Sequence, residues 1–217
     1  MVDLITDLRA ADVWANLERV REQIRGAGRD PDRIQILAAV KYVPLEQLGA
    51  LADAGITLLG ENRAQDLEAK AQAYGDRFTW DFIGHLQSRK VKQILPYVRY
   101  IHSVSSDSVL HQLERHAPLD TEVLVEVNVA REPGKSGIEP QDLDGFIQRC
   151  PVRVVGLMTM PPLATTPEDS RPHFAALARL AADHGLRHLS MGTSQDYRVA
   201  VEEGATLIRV GSILYRG

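Results

Sequence analysis

The chain has little of several things, and each shortage removes a class of answer. Among its 217 residues there is one cysteine, Cys150, so no internal disulfide can form and a disulfide-stapled secreted domain is excluded. No apolar run is long enough to cross a bilayer and no signal-peptide pattern opens the chain, so a cytoplasmic protein with no membrane partner is expected. The 25 basic residues do not outnumber the 29 acidic ones, and a net charge of -4 offers no electrostatic reason for a nucleic-acid partner. Of the seven histidines, His111 and His116 stand five apart, which does not put two ligands on one helical face; no metal is expected. What is present is an ordinary globular mixture, 44% hydrophobic and 25% charged, with no linker-like break, so one domain over residues 1–217 is expected.

Short apolar runs alternate with helical periods from one end to the other. Residues 8–25 carry Val13, Leu17, Val20 and Ile24 at three- and four-residue steps, an amphipathic helix ahead of any strand, within an N-terminal segment 1–30. Strands are then expected at 34–43, 57–61, 79–84, 100–104, 122–128, 153–160, 188–192 and 206–211, each followed by a helix except the last. Asn62 with Gln65 reads as a capping box for the helix after strand two. Ala54-Gly-Ile-Thr-Leu-Leu59 and Glu203-Gly-Ala-Thr-Leu-Ile208 echo one another as repeats of one unit. Eight such units imply an α/β fold, a single-domain (β/α)8 TIM barrel rather than an open doubly wound sheet. Only Ser212–Gly217 follow strand eight, so the N-terminal helix is expected to cover the gap in the outer ring.

In that architecture chemistry belongs at the C-terminal strand ends, with phosphate often held after strands seven and eight. Strand one ends on Lys41, an ammonium in an apolar run, which must be paired, reach water, or be neutral and reactive. After strand seven, Gly192-Thr-Ser-Gln-Asp196 opens a helix whose free amides favour an anion. After strand eight, Gly211 allows close backbone approach and Ser212 offers a hydroxyl and an amide. Arg209 lies among Leu207, Ile208 and Val210 and must find acceptors; it is either an ion pair with Glu61 or Glu126, or a fixed donor aimed at a ligand. A lysine, a cation beside it and a phosphate cradle together match pyridoxal phosphate, bound as a Schiff base with a cationic partner at its ring nitrogen.

Ala39-Val-Lys-Tyr-Val-Pro44, Leu59-Gly-Glu-Asn62, Phe82-Ile-Gly-His-Leu-Gln-Ser-Arg-Lys90, Lys135-Ser-Gly137, Gly156-Leu-Met-Thr-Met160, Leu189-Ser-Met-Gly-Thr-Ser-Gln-Asp196 and Arg209-Val-Gly-Ser212 resemble, in that order, the pyridoxal phosphate homeostasis protein family. The resemblance implies a monomeric barrel similar to the N-terminal domain of alanine racemase, with pyridoxal 5'-phosphate on Lys41. It implies Asn62 beside the cofactor, Arg209 facing the ring nitrogen, Ser194, Gly211 and Ser212 on the phosphate, and Met160 and Ser190 lining the pocket. Lys135 enters as an accessory contact or a solvated loop lysine, and not as part of a nucleotide loop, since the glycine needed five residues before Gly134 is Val129. Val40 and Val43 stand where the family has Ser or Thr and a second lysine, Arg89 replaces an Asn, and Thr193 replaces a Met.

A racemase needs acid/base groups on both faces of the substrate carbon, and the sequence offers only Lys41. Tyr42 and Tyr215 are the nearest others, and strand alternation would turn Tyr42 away from Lys41. The expected function is therefore storage, buffering or delivery of the cofactor, with apo forms of pyridoxal phosphate enzymes as partners. An amino-acid racemase and a cofactor-free lysine Schiff-base aldolase are the alternatives.

Overall fold

The structure is a computed structural model and describes residues 4–216. The expected bounds 1–217 and 1–30 therefore reach into residues 1–3 and 217, which lie outside the described residues. Eight parallel strands form a closed barrel in sequence order: β1 (Gln35–Ala39), β2 (Leu58–Glu61), β3 (Thr79–Phe82), β4 (Val98–Val104), β5 (Glu122–Glu126), β6 (Arg153–Met158), β7 (His188–Thr193) and β8 (Leu207–Val210). β1 pairs with β8, Leu37 opposite Arg209, so the open-sheet alternative is excluded. Five of the eight strands stop one to four residues short of the expected ends, because the chain leaves the ladder where it turns into the loops of the mouth.

The earliest consequence falls on Lys41. The amide of Val40 still donates to Gly60 O (2.9 Å), but Lys41 and Tyr42 then form a turn, so Lys41 stands beyond the strand and is exposed. The tension of a buried ammonium disappears. Alternation also ceases to apply, and Tyr42 is not turned away: Lys41 Nζ lies 5.0 Å from the centroid of its ring.

The outer ring consists of α2 (Leu48–Asp53), α3 (Ala64–Tyr74), α4 (Val91–Ile94), α5 (Asp107–His116), α6 (Leu143–Arg149), α7 (Arg171–Asp183) and α8 (Tyr197–Glu202), preceded by α1 (Ala10–Gly26) and followed by a single turn, α9 (Ser212–Tyr215). α1 packs against α9, α2 and α8 and so covers the gap between the first and last units. Its buried stripe is Val13, Asn16, Val20 and Ile24; Leu17 is only half-buried. Asn16 belongs there because its Nδ2 donates to Leu214 O and Arg216 O, both at 3.1 Å, binding α1 to carbonyls at the end of the last turn. No described helix is long and apolar enough to cross a membrane.

Most apolar burial lies between sheet and helices, in one continuous core. The barrel interior is different. A small apolar cluster of Leu124, Val155 and Met158 sits against Tyr100, and the buried polar residues include Asp81, His102, Ser190 and Arg209. Bulky branched residues usually fill this space.

Replacing Asn16 by alanine removes both bonds and leaves carbonyls at a covered helix end, so it should destabilise the protein by about 1–3 kcal/mol in urea unfolding. An unchanged midpoint would mean that apolar contacts alone hold α1 in place.

Candidate functional site

A cavity of about 490 Å³ opens at the C-terminal mouth of the barrel. Lys41, Asn62, Met160, Ser194, Arg209, Gly211 and Ser212 all line it. Two expected residues do not. Ser190 is completely buried beneath the cavity, because it points into the barrel interior and takes Arg209 as its partner. Lys135 is exposed in its loop, pairs with Glu132, and faces a neighbouring polar cleft together with Arg89.

Arg209 resolves the choice left open by its sequence. Glu61 does not reach it, being paired with Lys70, and Glu126 makes no hydrogen bond to it. Instead Nη1 donates to Ser190 O (2.6 Å) and Oγ (2.5 Å), while Nη2 donates to Thr159 O (2.8 Å) and Met160 Sδ (2.9 Å). Burial draws the guanidinium pKa down to about 10, against the opposing charges of Glu126 and Asp196, so the group stays protonated at neutral pH.

A rim of amides and hydroxyls is built by the β7 and β8 loops. Gly192 has φ of 90°, and a Cβ there would stand 2.6 Å from Ala200 Cβ, so only glycine permits this turn. Asp196 then fixes the loop: its carboxylate accepts from Thr193 N (2.7 Å), Thr193 Oγ1 (3.0 Å) and Ser170 Oγ (2.9 Å). That placement brings Ser194 Oγ to accept from Gly211 N (3.1 Å) and Ile213 N (3.4 Å). Two amides thus converge on one hydroxyl at the rim.

Asn62 departs from its expected part in a capping box. α3 begins at Ala64 behind Arg63 with no side-chain cap, and Glu61 accepts from the two amides that precede it, Asn62 N (2.6 Å) and Arg63 N (3.3 Å). The Asn62 side chain is left for the cavity wall, with Oδ1 buried and without a hydrogen-bond partner among the described residues. A buried acceptor of this kind can take a donor from a ligand or from water. Gly84 makes room beside it, since a Cβ there would meet Asn62 O at 2.1 Å. An exposed amine, an orphaned acceptor, a fixed guanidinium and an amide rim around one cavity match the parts of pyridoxal phosphate in number and chemistry.

A profile described as alanine racemase, N-terminal domain, matches residues 10–217. A pyridoxal phosphate homeostasis protein of Aquifex aeolicus is 38% identical over 213 residues, 92% of this chain and 93% of its own. The chain belongs to the pyridoxal phosphate homeostasis protein family. The family's Pseudomonas aeruginosa member is 35% identical over 209 residues, 91% of this chain and 90% of its own. The solved structure of PipY from Synechococcus elongatus, with its cofactor bound, superposes with a TM-score of 0.79 at 30% identity, covering 94% of this chain and 99% of that one. Lysine decarboxylase of Selenomonas ruminantium, at 15% identity and TM-score 0.74, covers 96% of this chain and only 60% of its own, and shares the barrel alone.

Several cavity residues escaped the sequence reading of this family member. Glu126 lines the wall and accepts from Ser136 Oγ at 2.7 Å; His85 and Ile5 line it too. Ile5 gets there because its amide donates to Tyr42 O (2.9 Å), drawing the segment before α1 across the rim. Strand alternation marks Glu126 as inward-facing, but nothing local in the sequence places residue 5 at the mouth. Tyr215 is half-buried, with its hydroxyl donating to Ala39 O (3.2 Å). Burial, and then the Glu61 charge, push its pKa well up, so it stays protonated and is a poor base. Among the described residues no cluster of three His, Cys, Asp or Glu could hold a metal.

Beneath Lys41 and Asn62 lies a buried ion pair. Lys70 Nζ donates to Glu61 Oε1 (2.5 Å) and to Val40 O (2.8 Å), tying the ends of β1 and β2 together just before the two site residues. Lys70→Met strands a buried carboxylate and should cost roughly 3–5 kcal/mol in urea unfolding. The double change Glu61→Gln/Lys70→Met removes that charge and should cost less than Lys70→Met alone; a larger loss in the double variant would mean that the pair is not acting as a unit.

Proposed function

We propose that this chain binds pyridoxal 5'-phosphate on Lys41 and serves its homeostasis inside the cell, storing, buffering or delivering it to apo-enzymes. The observation that carries the reading is the convergence of Lys41, Asn62, Arg209 and the Ser194–Gly211–Ser212 rim on one cavity. When bound, the cofactor supplies an aldehyde that condenses reversibly with an amine and a ring that draws electrons.

Each residue has a distinct task. Lys41 presents its amine at the open mouth, where water and exchanging amines reach it. Asn62 Oδ1 accepts a hydrogen bond from the ligand, and the amides of Gly211 and Ile213 with the hydroxyls of Ser194 and Ser212 receive the phosphate. Arg209 donates to the ring nitrogen and, as a fixed cation, opposes its protonation, which weakens the electron withdrawal that amino-acid chemistry needs. All of these groups come from one chain, in keeping with a monomer. A bound cofactor in PipY and the homeostasis function named for the curated relatives weigh against the cofactor-free aldolase.

An amino-acid racemase is the second reading, favoured by Glu126, a carboxylate on the same wall that could serve as a further acid/base group. Racemisation of amino acids by the loaded protein at ordinary enzyme rates, about 1–1,000 per second, would select it.

Borohydride treatment of the loaded protein followed by peptide mass spectrometry should place the adduct on Lys41, and an adduct on another lysine refutes the assignment. Arg209→Lys keeps the charge but loses the fork, and should weaken cofactor retention about tenfold or more. Retention equal to the parent's would remove Arg209 from the site. Transfer to an apo-enzyme should outpace supply from the same concentration of free cofactor; transfer no faster than free diffusion would leave storage as the function.

A further inference from the structure

Arg209 is one end of a hydrogen-bond chain that crosses the barrel interior. Ser190 Oγ, which accepts from Arg209 Nη1, lies 2.9 Å from His102 Nδ1, and His102 Nε2 lies 3.1 Å from Asp81 Oδ2. The chain ends at Arg99, which grips Asp81 with Nε (3.0 Å) and Nη2 (2.6 Å) and reaches Gln35 Oε1 with Nη1 (2.7 Å). Asp81, His102 and Ser190 have no exposed surface.

The position of every proton follows from the donors available. A guanidinium only donates, so Ser190 Oγ accepts from Arg209 and must give its own proton to His102 Nδ1. An ionised carboxylate only accepts, so His102 Nε2 carries the ring's single proton and gives it to Asp81. Burial lowers the His102 pKa more than Asp81 raises it, in agreement with a neutral ring. Burial pushes Asp81 upward, but the hydrogen bond from His102 and the hydrogen bonds and charge of Arg99 outweigh it and hold Asp81 ionised. Hydrogen bonds in such a chain polarise one another, so an ionised Asp81 strengthens the His102 and Ser190 hydrogen bonds that lead to Arg209.

The guanidinium itself is clamped between strands. Ser190 on β7 takes Nη1 through both its carbonyl and its hydroxyl, and Thr159 and Met160 after β6 take Nη2. Nε makes no hydrogen bond to the described protein residues. A different serine rotamer would cost the clamp one of its acceptors and free the guanidinium to turn.

We propose that Ser190 and His102, backed by Asp81, are positioning residues for the cofactor: they act through Arg209, fixing the rotation of its guanidinium before the ligand arrives. The inference rests on the reading of Arg209 as the ring partner. It explains why a serine expected to line the pocket lies beneath it instead, and why a barrel interior of this size spends three buried polar side chains on one line.

A double-mutant cycle on affinity for pyridoxal phosphate, read from its absorption band with the full chain, tests this. In the parent background Ser190→Ala should weaken binding about tenfold and shift the band of the bound form, whereas Ser190→Thr, which keeps the hydroxyl, should restore both. In the Arg209→Lys background Ser190→Ala should change affinity less than about twofold, because the fork it aligns is gone. His102→Phe provides a second break in the same chain and should reproduce both results. Equal losses in the two backgrounds, or parent-like binding by Ser190→Ala and His102→Phe, overturn the inference while leaving the cofactor reading intact. A parent protein that shows no band at all defeats the cofactor reading itself.

Discussion

Burying the Arg209 guanidinium where no carboxylate touches it carries a desolvation cost that neutral acceptors alone must offset, and this constraint shapes the middle of the barrel. A salt bridge would have been the simpler solution, but it would also have neutralised the group and turned its donors away from the mouth. The barrel supplies carbonyls, a hydroxyl and a thioether instead, while the opposing charges of Glu126 and Asp196 act on it without a hydrogen bond and Asp81 is held by Arg99. The cation remains uncompensated at close range, which is the property that a ligand acceptor at the mouth can use. An interior filled with branched apolar residues, the usual packing of such barrels, could not hold this group.

Two further constraints position what surrounds Arg209. The Glu61–Lys70 pair anchors the ends of β1 and β2 below Lys41 and Asn62 and is sealed from solvent, so it acts at full strength there. The rim rests on Asp196, whose carboxylate orders the loop that delivers Ser194 to the amides after β8. Lys41 is treated differently: it stands in a turn, exposed, and its aromatic neighbour Tyr42 is tied to the segment before α1. A clamped guanidinium and a rigid rim beside an accessible amine suit the proposed reversible holding of the cofactor.

Much of this was legible in the sequence because periodicity reports directly on strands and helices. The eight units, the leading helix over the gap and the two loops with Ser194 and Ser212 all follow from spacing and turn residues. What failed were inferences about single side chains at strand ends. Alternation would turn Tyr42 away from Lys41, but the ladder has already ended there; Asn62 looks like a cap, but α3 starts only behind Arg63. Those outcomes depend on where a strand stops by one or two residues, and no local pattern encodes that. The partnership of Asp81, His102 and Ser190 was invisible for another reason: the three lie on different strands and meet only when the barrel closes.

The most direct measurement is a crystal structure of the protein loaded with pyridoxal phosphate. Continuous density from Lys41 Nζ is predicted, with the ring nitrogen within hydrogen-bond reach of Arg209, the phosphate on the rim of Ser194, Gly211 and Ser212, and the guanidinium still clamped by Ser190 and Thr159. A ring nitrogen facing Glu126, or a phosphate held away from that rim, would contradict the account.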